Sequence, residues 1–264
     1  MPRAIITLTT DFGLRDPYVA EMKAAILSIC PDATVVDISH EIEKLNTRMG
    51  AYVLASASPY FPKGTIHVAV IDPGVGTKRR PILIQTKHSL FVGPDNGVLV
   101  LAVKNQKIEH VYEITNRKLM LPKVSGTFHG RDVFAPAAAH LANGATPAGF
   151  GPEISAIVVP DFAKVIRRKN VLEGEVIHVN GFGNVITNFG RKELELMNVK
   201  DAVTVKLKNA SLKLKLCKAY AEAEPHKPLA IIGSHDFLEV TVNRGNAAKY
   251  FKIKIGDRIT LYRS

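Results

Sequence analysis

Short β-branched runs alternate with helical patterns over the first 142 residues, and this alternation limits the possible folds more than any other feature of the chain. Residues 4–10 (AIITLTT) predict a strand, and residues 16–30 predict a helix with Asp16 as its N-cap and Pro17 in the first helical position. Further strands are predicted at 34–39, 65–71, 81–86 and 111–115, and further helices at 49–58 and 131–142. Such an alternation is typical of a doubly wound, mainly parallel sheet with helices on both faces.

The pattern changes beyond about residue 165. The segments EGEVIHV, NVITN, AVTVKL, LKLKL and FLEVTV are short strand patterns separated by turn residues, and helical patterns are almost absent. This part predicts an all-β barrel or sandwich. We therefore expect an α/β, Rossmann-like domain at 1–163 and a β-barrel-like domain at 164–264.

The net charge of +11 falls mainly in the second domain. Residues 1–160 carry 16 Lys and Arg against 13 Asp and Glu, whereas the remaining residues carry 19 against 11. Much of the excess lies in VTVKLKNASLKLKL (203–216), where lysines alternate with apolar residues and are expected on one solvated strand face. Since no zinc finger, RNA-binding motif or interleaved aromatic residue accompanies these lysines, we expect no nucleic-acid partner.

The sequence also argues against a membrane, secretion or metal-binding role. No tract approaches the roughly 18 apolar residues of a membrane span, and the N-terminal MPRAIITLTTD reaches an aspartate too early for a signal peptide. We therefore expect a cytoplasmic protein. Cys30 and Cys217 are far apart and have no CxxC motif or neighbouring histidine pair, so neither a metal site nor a disulfide is expected.

The segment AVIDPGVGTKRR (69–80) leaves a predicted strand at Asp72 and enters a Pro-Gly-x-Gly turn. A phosphate-binding loop would need GxxxxGK[ST], and here Thr77, Lys78 and Arg79 follow the glycines. A dinucleotide-binding fingerprint is missing as well, because GFGNVI (181–186) lacks the third glycine. The remaining alternatives are a plain turn and a site where Asp72 acts together with an arginine.

Acidic residues follow several of the predicted strands. Asp72 lies at the carboxyl end of a predicted parallel strand, where open α/β sheets bind their ligands. Asp11 follows TLTT in the same way, and Asp37 lies inside the strand pattern TVVDIS. Each could be a turn or cap carboxylate, but three in one half of a sheet favour a ligand site.

Two further regions combine polar residues with turns. His129 and Gly130 precede the helix predicted at 131–142, and a helix N-terminus offers N–H groups to a ligand. In the second domain, NGFGNVITN (180–188) and NRGNAAK (243–249) are typical of hairpin or bulge turns. Their amide side chains could also hydrogen-bond the edge of a nucleobase.

Five motifs in order, TTDFG, IDPGVGTxR, TFHGRDxFAP, FGNxxTN and NxGNAA, resemble those of the S-adenosyl-L-methionine hydroxide adenosyltransferases, the hydrolytic relatives of the fluorinase and chlorinase. The resemblance covers the whole chain. It implies an α/β domain followed by a β-barrel-like domain and a homotrimer with active sites between subunits. The implied reaction converts S-adenosyl-L-methionine and water into adenosine and L-methionine.

The resemblance also implies roles for individual residues. Asp72, Arg79 and His129 match the set that holds the attacking water, which leaves the adjacent Arg80 as a solvated side chain. The halogenating relatives carry tyrosine in place of Asp72, so halide chemistry is set aside.

The implied substrate-binding residues come from both domains. Asp11 would accept hydrogen bonds from the ribose 2′ and 3′ hydroxyls. Ser234 and His235 align with a Ser-Arg pair near the methionine carboxylate in the fluorinase. The other residues of the implied set are Phe128 and Gly130 of TFHG, and Phe182, Asn184, Asn246 and Ala247 against adenine.

The implied chemistry is an in-line displacement at C5′ with a sulfonium leaving group. Because the leaving group departs as a neutral thioether, neither a metal nor a cofactor is expected. Arg79 would stabilise the developing hydroxide while Asp72 or His129 takes the proton. An alternative remains, in which the protein binds S-adenosylmethionine or adenosine without significant turnover.

Overall fold

The computed structural model describes residues 3–104, 106–207 and 210–263. The chain divides into two compact units, one ending at Val159 and the other beginning at Pro160. The sequence placed this boundary after residue 163.

The N-terminal unit contains a six-stranded mixed sheet in the order β2-β1-β3-β5-β4-β6. Its strands are β1 (Ile5–Thr10), β2 (Thr34–Ser39), β3 (Ile66–Val70), β4 (Pro81–Thr86), β5 (Leu90–Pro94) and β6 (Ile108–Glu113). The neighbours β2, β1, β3 and β5 run parallel, whereas β4 is antiparallel to β5 and β6. Only residues 87–89 join β4 to β5, and so short a connection can only reverse the chain direction. The mainly parallel sheet predicted from the sequence is confirmed.

Helices cover both faces of this sheet. They are α1 (Tyr18–Ile29), α2 (Thr47–Ala57), α3 (Val100–Lys104) and α4 (Ala135–Ala142). The helices α1 and α4 pack together over one face, where Met22, Ile26 and Phe134 join Leu8 and Val68 in the core. The helices α2 and α3 pack together on the other face.

Two helix starts differ from the sequence prediction. Pro17 is the N-cap of α1 and no side chain caps it, so the prediction of Asp16 as the N-cap was wrong. The helix predicted at 131–142 begins as a π-helical turn, Gly130–Phe134, and becomes α-helical only at Ala135. Pro136 has no N–H to donate to the carbonyl of Asp132, four residues earlier, and this carbonyl accepts from the backbone N–H of Leu121 at 2.9 Å.

The C-terminal unit is a closed seven-stranded barrel, as the sequence predicted in outline. Its strands are β7 (Ile166–Arg168), β8 (Val171–Val179), β9 (Val185–Gly190), β10 (Ala202–Leu207), β11 (Ala210–Cys217), β12 (Pro228–Ile232), β13 (Phe237–Val242) and β14 (Arg258–Tyr262), with short helices α5 (Arg191–Leu196) and α6 (Ala247–Phe251). The barrel closes because β14 pairs with both β10 and β8, and β7 adds to β8 outside the ring.

The lysine-rich strands follow the predicted alternation. Lys206, Lys213 and Lys215 are exposed, whereas Val205 and Leu214 are buried in the barrel core. Lys208, part of the same prediction, lies outside the described residues. In the part of the chain that the structure describes, no helix has the length and apolar character needed to cross a membrane.

Candidate active site

A cavity of about 220 Å³ opens at the carboxyl ends of β1 and β3. These strands are parallel neighbours with Thr10 opposite Val70, so the loops that follow them leave the sheet at the same edge. The lining residues are Asp11, Phe12, Asp16, Tyr18, Lys44, Leu45, Val70, Asp72, Val75, Thr127, Phe128, His129 and Gly130. Five residues predicted from the sequence are therefore brought together here: Asp11, Asp72, Phe128, His129 and Gly130.

Arg79 contacts both Asp72 and His129 beside this cavity. The Arg79 guanidinium is bidentate on Asp72, with Nε donating to Oδ1 at 3.1 Å and Nη2 donating to Oδ2. The same Nη2 lies 3.0 Å from Nδ1 of His129. Because a guanidinium only donates, Nδ1 of His129 must be the acceptor, and the ring carries its proton on Nε2.

Burial makes this cluster a low-dielectric environment. The side chains of Arg79 and Asp72 are only 7% and 5% exposed. Burial, together with the charge of Arg79, lowers the pKa of His129 below its usual value of 6.5, so the ring is neutral near pH 7. Within the described residues, the buried Nη1 of Arg79 has no hydrogen-bond partner, which leaves donors of the cation available for a ligand.

The glycine-rich turn between Asp72 and Arg79 reverses the chain so that both side chains meet. The N–H of Val75 donates to the carbonyl of Asp72, and the N–H of Thr77 donates to that of Gly74, both at 3.2 Å. Gly76 has φ +74°, and a Cβ there would lie 2.2 Å from the Gly126 carbonyl oxygen. Only glycine allows this contact, which holds the turn against the segment that leads to His129.

Asp11 lies at the other side of the cavity, in the loop after β1. Its Oδ2 accepts a hydrogen bond from the N–H of Leu45 at 2.8 Å, and Nζ of Lys44 donates to its backbone carbonyl at 2.5 Å. Asp11 is 5% exposed, and its second carboxylate oxygen remains available within the lining of the cavity. Lys44 and Leu45 belong to no motif and could not be identified from the sequence.

Three aromatic rings form one wall of the cavity. The rings of Phe12 and Tyr18 pack edge-on against Phe128, with centroids 5.5 and 5.1 Å away. A Cβ on Gly130 would lie 3.1 Å from the Phe128 ring and 3.2 Å from the sulfur of Met22, so a side chain there would disturb the wall. Phe12 was missed in the sequence although it directly follows Asp11 in the TTDFG motif.

In the barrel, the loop before β9 packs on the start of α6. Gly183 has φ +84° and approaches the Asn246 side chain so closely that a Cβ would lie 2.1 Å from its amide carbon. The N–H of Ala248 donates to the Gly183 carbonyl at 3.0 Å. Phe182 is 82% exposed and Ala247 is buried. The FGN and GNAA segments are thus neighbours in the barrel.

The amide of Asn184 is held by side chains that the sequence analysis did not identify. Its Oδ1 accepts from the Thr241 hydroxyl at 2.5 Å, and its Nδ2 lies 3.3 Å from Glu239 and 3.4 Å from the Tyr220 hydroxyl. Burial raises the pKa of Glu239, although the donors of Asn184 and Tyr220 partly oppose this rise. One sequence feature could have pointed to Glu239: it is the only charged residue in the strand pattern FLEVTV.

Four other residues considered in the sequence do not line the cavity. Ser234 and His235 are exposed in the turn after β12. Asp37 pairs with Lys23 at 2.6 Å and does not line the cavity. Arg80, which the sequence leaves as a solvated side chain, is 37% exposed, and its Nε donates to Asp95 at 3.0 Å. Over the described ranges, no group of three His, Cys, Asp or Glu side chains could hold a metal ion.

Comparison with known proteins gives the family of the chain. Residues 6–151 match the N-terminal domain model of the SAM hydroxide adenosyltransferases, and residues 174–260 match the C-terminal domain model. Proteins named (R)-S-adenosyl-L-methionine hydrolase from Methanocaldococcus jannaschii and Thermus thermophilus are each 38% identical, over 97% and 96% of this chain and 95% and 97% of theirs.

More distant relatives and a solved structure agree. A fluorinase from Actinoplanes sp. is 26% identical over 97% of both chains. The crystal structure of an uncharacterized conserved protein from Thermotoga maritima matches with a TM-score of 0.85 and 38% identity, covering 98% of this chain and all of the other. The chain therefore belongs to the S-adenosyl-L-methionine hydroxide adenosyltransferase family.

Proposed function

We propose that this protein hydrolyses S-adenosyl-L-methionine to adenosine and L-methionine at the cavity of the N-terminal unit. The observation that carries the proposal is the contact of Arg79 with both Asp72 and His129, which lie on the cavity lining. The names of relatives at 38% identity support the same reaction. Those names specify the (R) form of the substrate, and we extend this preference to the present chain.

The reaction is a displacement in which the water oxygen bonds to C5′ as the C5′–S bond breaks. The sulfonium takes the bond electrons and leaves as the neutral thioether of methionine. Arg79 and Asp72 place a fixed positive charge and a proton acceptor beside the water, in a buried site where such charges act strongly. Asp72 is the proton acceptor, because each carboxylate oxygen can accept a second hydrogen bond besides that from Arg79, whereas the single lone pair of His129 Nδ1 already accepts from Arg79. The Nε2–H of His129 donates to the water oxygen and orients it.

The substrate is held by residues of both units, and the protein acts as a homotrimer in which the barrel of one copy completes the cavity of another. Asp11 binds the ribose hydroxyls, while Phe182 stacks on adenine and Asn246 contacts its edge; Asn184 and Ala247, which are 5% and 0% exposed, support these two loops from inside the barrel. Support comes from the exposed ring of Phe182 and from the packing of its loop on Asn246. Ser234 at the methionine carboxylate, the cytoplasmic location and the lack of nucleic-acid or membrane partners remain predictions.

Incubation with (R)-S-adenosylmethionine in oxygen-18 water tests the proposed reaction. We expect adenosine carrying one oxygen-18 atom at the 5′-hydroxyl, detected by mass spectrometry, because water supplies the oxygen that forms the new bond. Unlabelled adenosine incubated with the protein in the same water is the control for exchange and should stay unlabelled. Binding of the substrate without adenosine release would instead favour a sensor that binds S-adenosylmethionine without turnover.

Replacing Asp11 by alanine is expected to weaken adenosine binding by about 10- to 100-fold, since a carboxylate that binds two hydroxyls contributes roughly 1.5 to 3 kcal/mol. Isothermal titration calorimetry with adenosine measures the change. The matched control is Asp16→Ala, which removes another carboxylate on the same cavity lining and should change the affinity much less. Equal effects of the two substitutions would contradict the ribose role of Asp11.

A further inference from the structure

Both ends of the loop 71–80, which carries Asp72 and Arg79, are bound by the segment that follows β5. At the first end, Nδ2 of Asn96 donates to the carbonyl of Ile71 at 2.8 Å. At the other end, the N–H of Asp95 donates to the carbonyl of Arg80 at 2.9 Å. These two carbonyls belong to the residue immediately before Asp72 and the residue immediately after Arg79.

The carboxylate of Asp95 strengthens the second attachment. Its side chain is 2% exposed, and its Oδ2 accepts from Nε of Arg80 at 3.0 Å and also from Nη2. Its Oδ1 accepts from the N–H of Val158 at 2.7 Å, and Nη2 of Arg80 donates to the Ala156 carbonyl at 3.0 Å. A buried carboxylate that is neutralised and hydrogen-bonded on both oxygens holds its partners in one geometry.

The side chain of Asn96 is likewise fixed at both of its polar atoms. While Nδ2 donates to Ile71, Oδ1 accepts from the N–H of Val98 at 3.1 Å. Gly76, in the middle of the loop, packs against Gly126. The loop is therefore attached at its start, its middle and its end.

We propose that Asp95 and Asn96 are positioning residues that clamp the two ends of the loop 71–80 and so hold Asp72 and Arg79 in their catalytic geometry. The inference rests on the proposed function of these two residues. Neither clamp residue lines the cavity, so each acts on the reaction through the loop. A displacement of about 1 Å can cost on the order of 100-fold in rate, and losing either attachment frees the residue next to a catalytic side chain.

The test measures kcat and KM for hydrolysis of S-adenosylmethionine in Asn96→Ala and Asp95→Asn. We expect kcat to fall by about 10- to 100-fold while KM changes by less than about threefold, because the attacking water and not the substrate loses its alignment. In an Asp72→Asn background, the same substitutions should lower kcat by less than about twofold, since the alignment they support is already lost. Asn143→Ala is the matched control, as it removes an equivalent Nδ2 bond, to the Ile29 carbonyl at 2.7 Å, and should leave kcat unchanged.

The outcomes separate the clamp from the proposed function. Wild-type kcat in both clamp variants, with Asp72→Asn impaired, overturns the clamp alone. A full loss of kcat that persists in the Asp72→Asn background also overturns it, because the residues would then act on overall stability. Wild-type kcat in Asp72→Asn overturns the catalytic set and the clamp with it. Thermal melting identifies a variant that fails to fold, and the other clamp variant then decides.

Discussion

Asp72→Asn is expected to lower kcat for S-adenosylmethionine hydrolysis by about 100- to 10,000-fold, the range that a positioned acid or base contributes. The asparagine keeps the shape of the side chain, and its Oδ1 can still accept from Arg79. It removes the negative charge and the site that receives the proton of the attacking water. Because the substrate does not lose a partner, KM should change only a few-fold. Steady-state kinetics with chromatographic detection of adenosine measures both constants.

The matched control is Asp37→Asn, which makes the same chemical change at another carboxylate of the same sheet. Asp37 pairs with Lys23 at 2.6 Å and with His40 at 3.0 Å, outside the cavity lining. An asparagine oxygen can still accept a hydrogen bond there, so kcat should stay within about twofold of the wild-type value. A folded Asp72→Asn protein with wild-type kcat would remove Asp72 from the mechanism. Equal losses of kcat in both variants would mean that turnover responds to the loss of any carboxylate in this sheet and not to Asp72 specifically.

The meeting of Asp11 and Asp72 could be predicted from the sequence because it depends on local patterns and one general rule. β1 and β3 are short, largely buried runs; Asp11 directly follows β1, and Asp72 follows β3 after Ile71. Parallel strands place their carboxyl ends at one edge of a sheet, so neighbouring strands bring the two carboxylates together. The order of strands and helices was therefore enough to predict that Asp11 and Asp72 lie at the same edge of the sheet, and no side-chain contact had to be known.

The position of Arg80 could not be predicted, since its partner is distant in sequence and belongs to no regular motif. The run Lys78-Arg79-Arg80 is typical of a solvated turn. The partner of Arg80 is Asp95, which lies 15 residues further on and follows a strand that was not predicted from the sequence. The antiparallel insertion of β4 beside β5 brings these residues together. This pairing is a property of the tertiary structure.

The environment of Asn184 shows the same limit in the barrel. Glu239 and Thr241 are 55 and 57 residues away from Asn184 in the chain, and all three are buried where β9 and β13 pair. An alternating strand pattern predicts which residues face the core, but a polar residue on that face is recognised as a partner only when the neighbouring strand is known. Asn184 was thus predicted from the sequence as a site residue, whereas the residues that orient its amide were not.

His129→Ala is expected to lower kcat by at least about 100-fold, because Arg79 loses an acceptor and the water loses the donor that orients it. His129→Gln should retain part of the activity, as its amide can both accept and donate. The two proteins should also differ from wild type in pH dependence. Protonation of His129 places a proton on Nδ1, which then repels Arg79. Wild-type kcat/KM should therefore fall as the pH drops through the His129 pKa, which burial and Arg79 hold below 6.5.

In His129→Gln this acid limb should be absent, since the glutamine does not titrate, and kcat/KM should follow only the remaining groups of the site. The matched control is His140→Ala, because burial also lowers the pKa of His140, which lies in α4 outside the cavity lining. Its pH profile should coincide with that of the wild type. An acid limb that persists unchanged in His129→Gln would assign the titration to another group, and full activity of His129→Ala would show that Asp72 and Arg79 orient the water without a third partner.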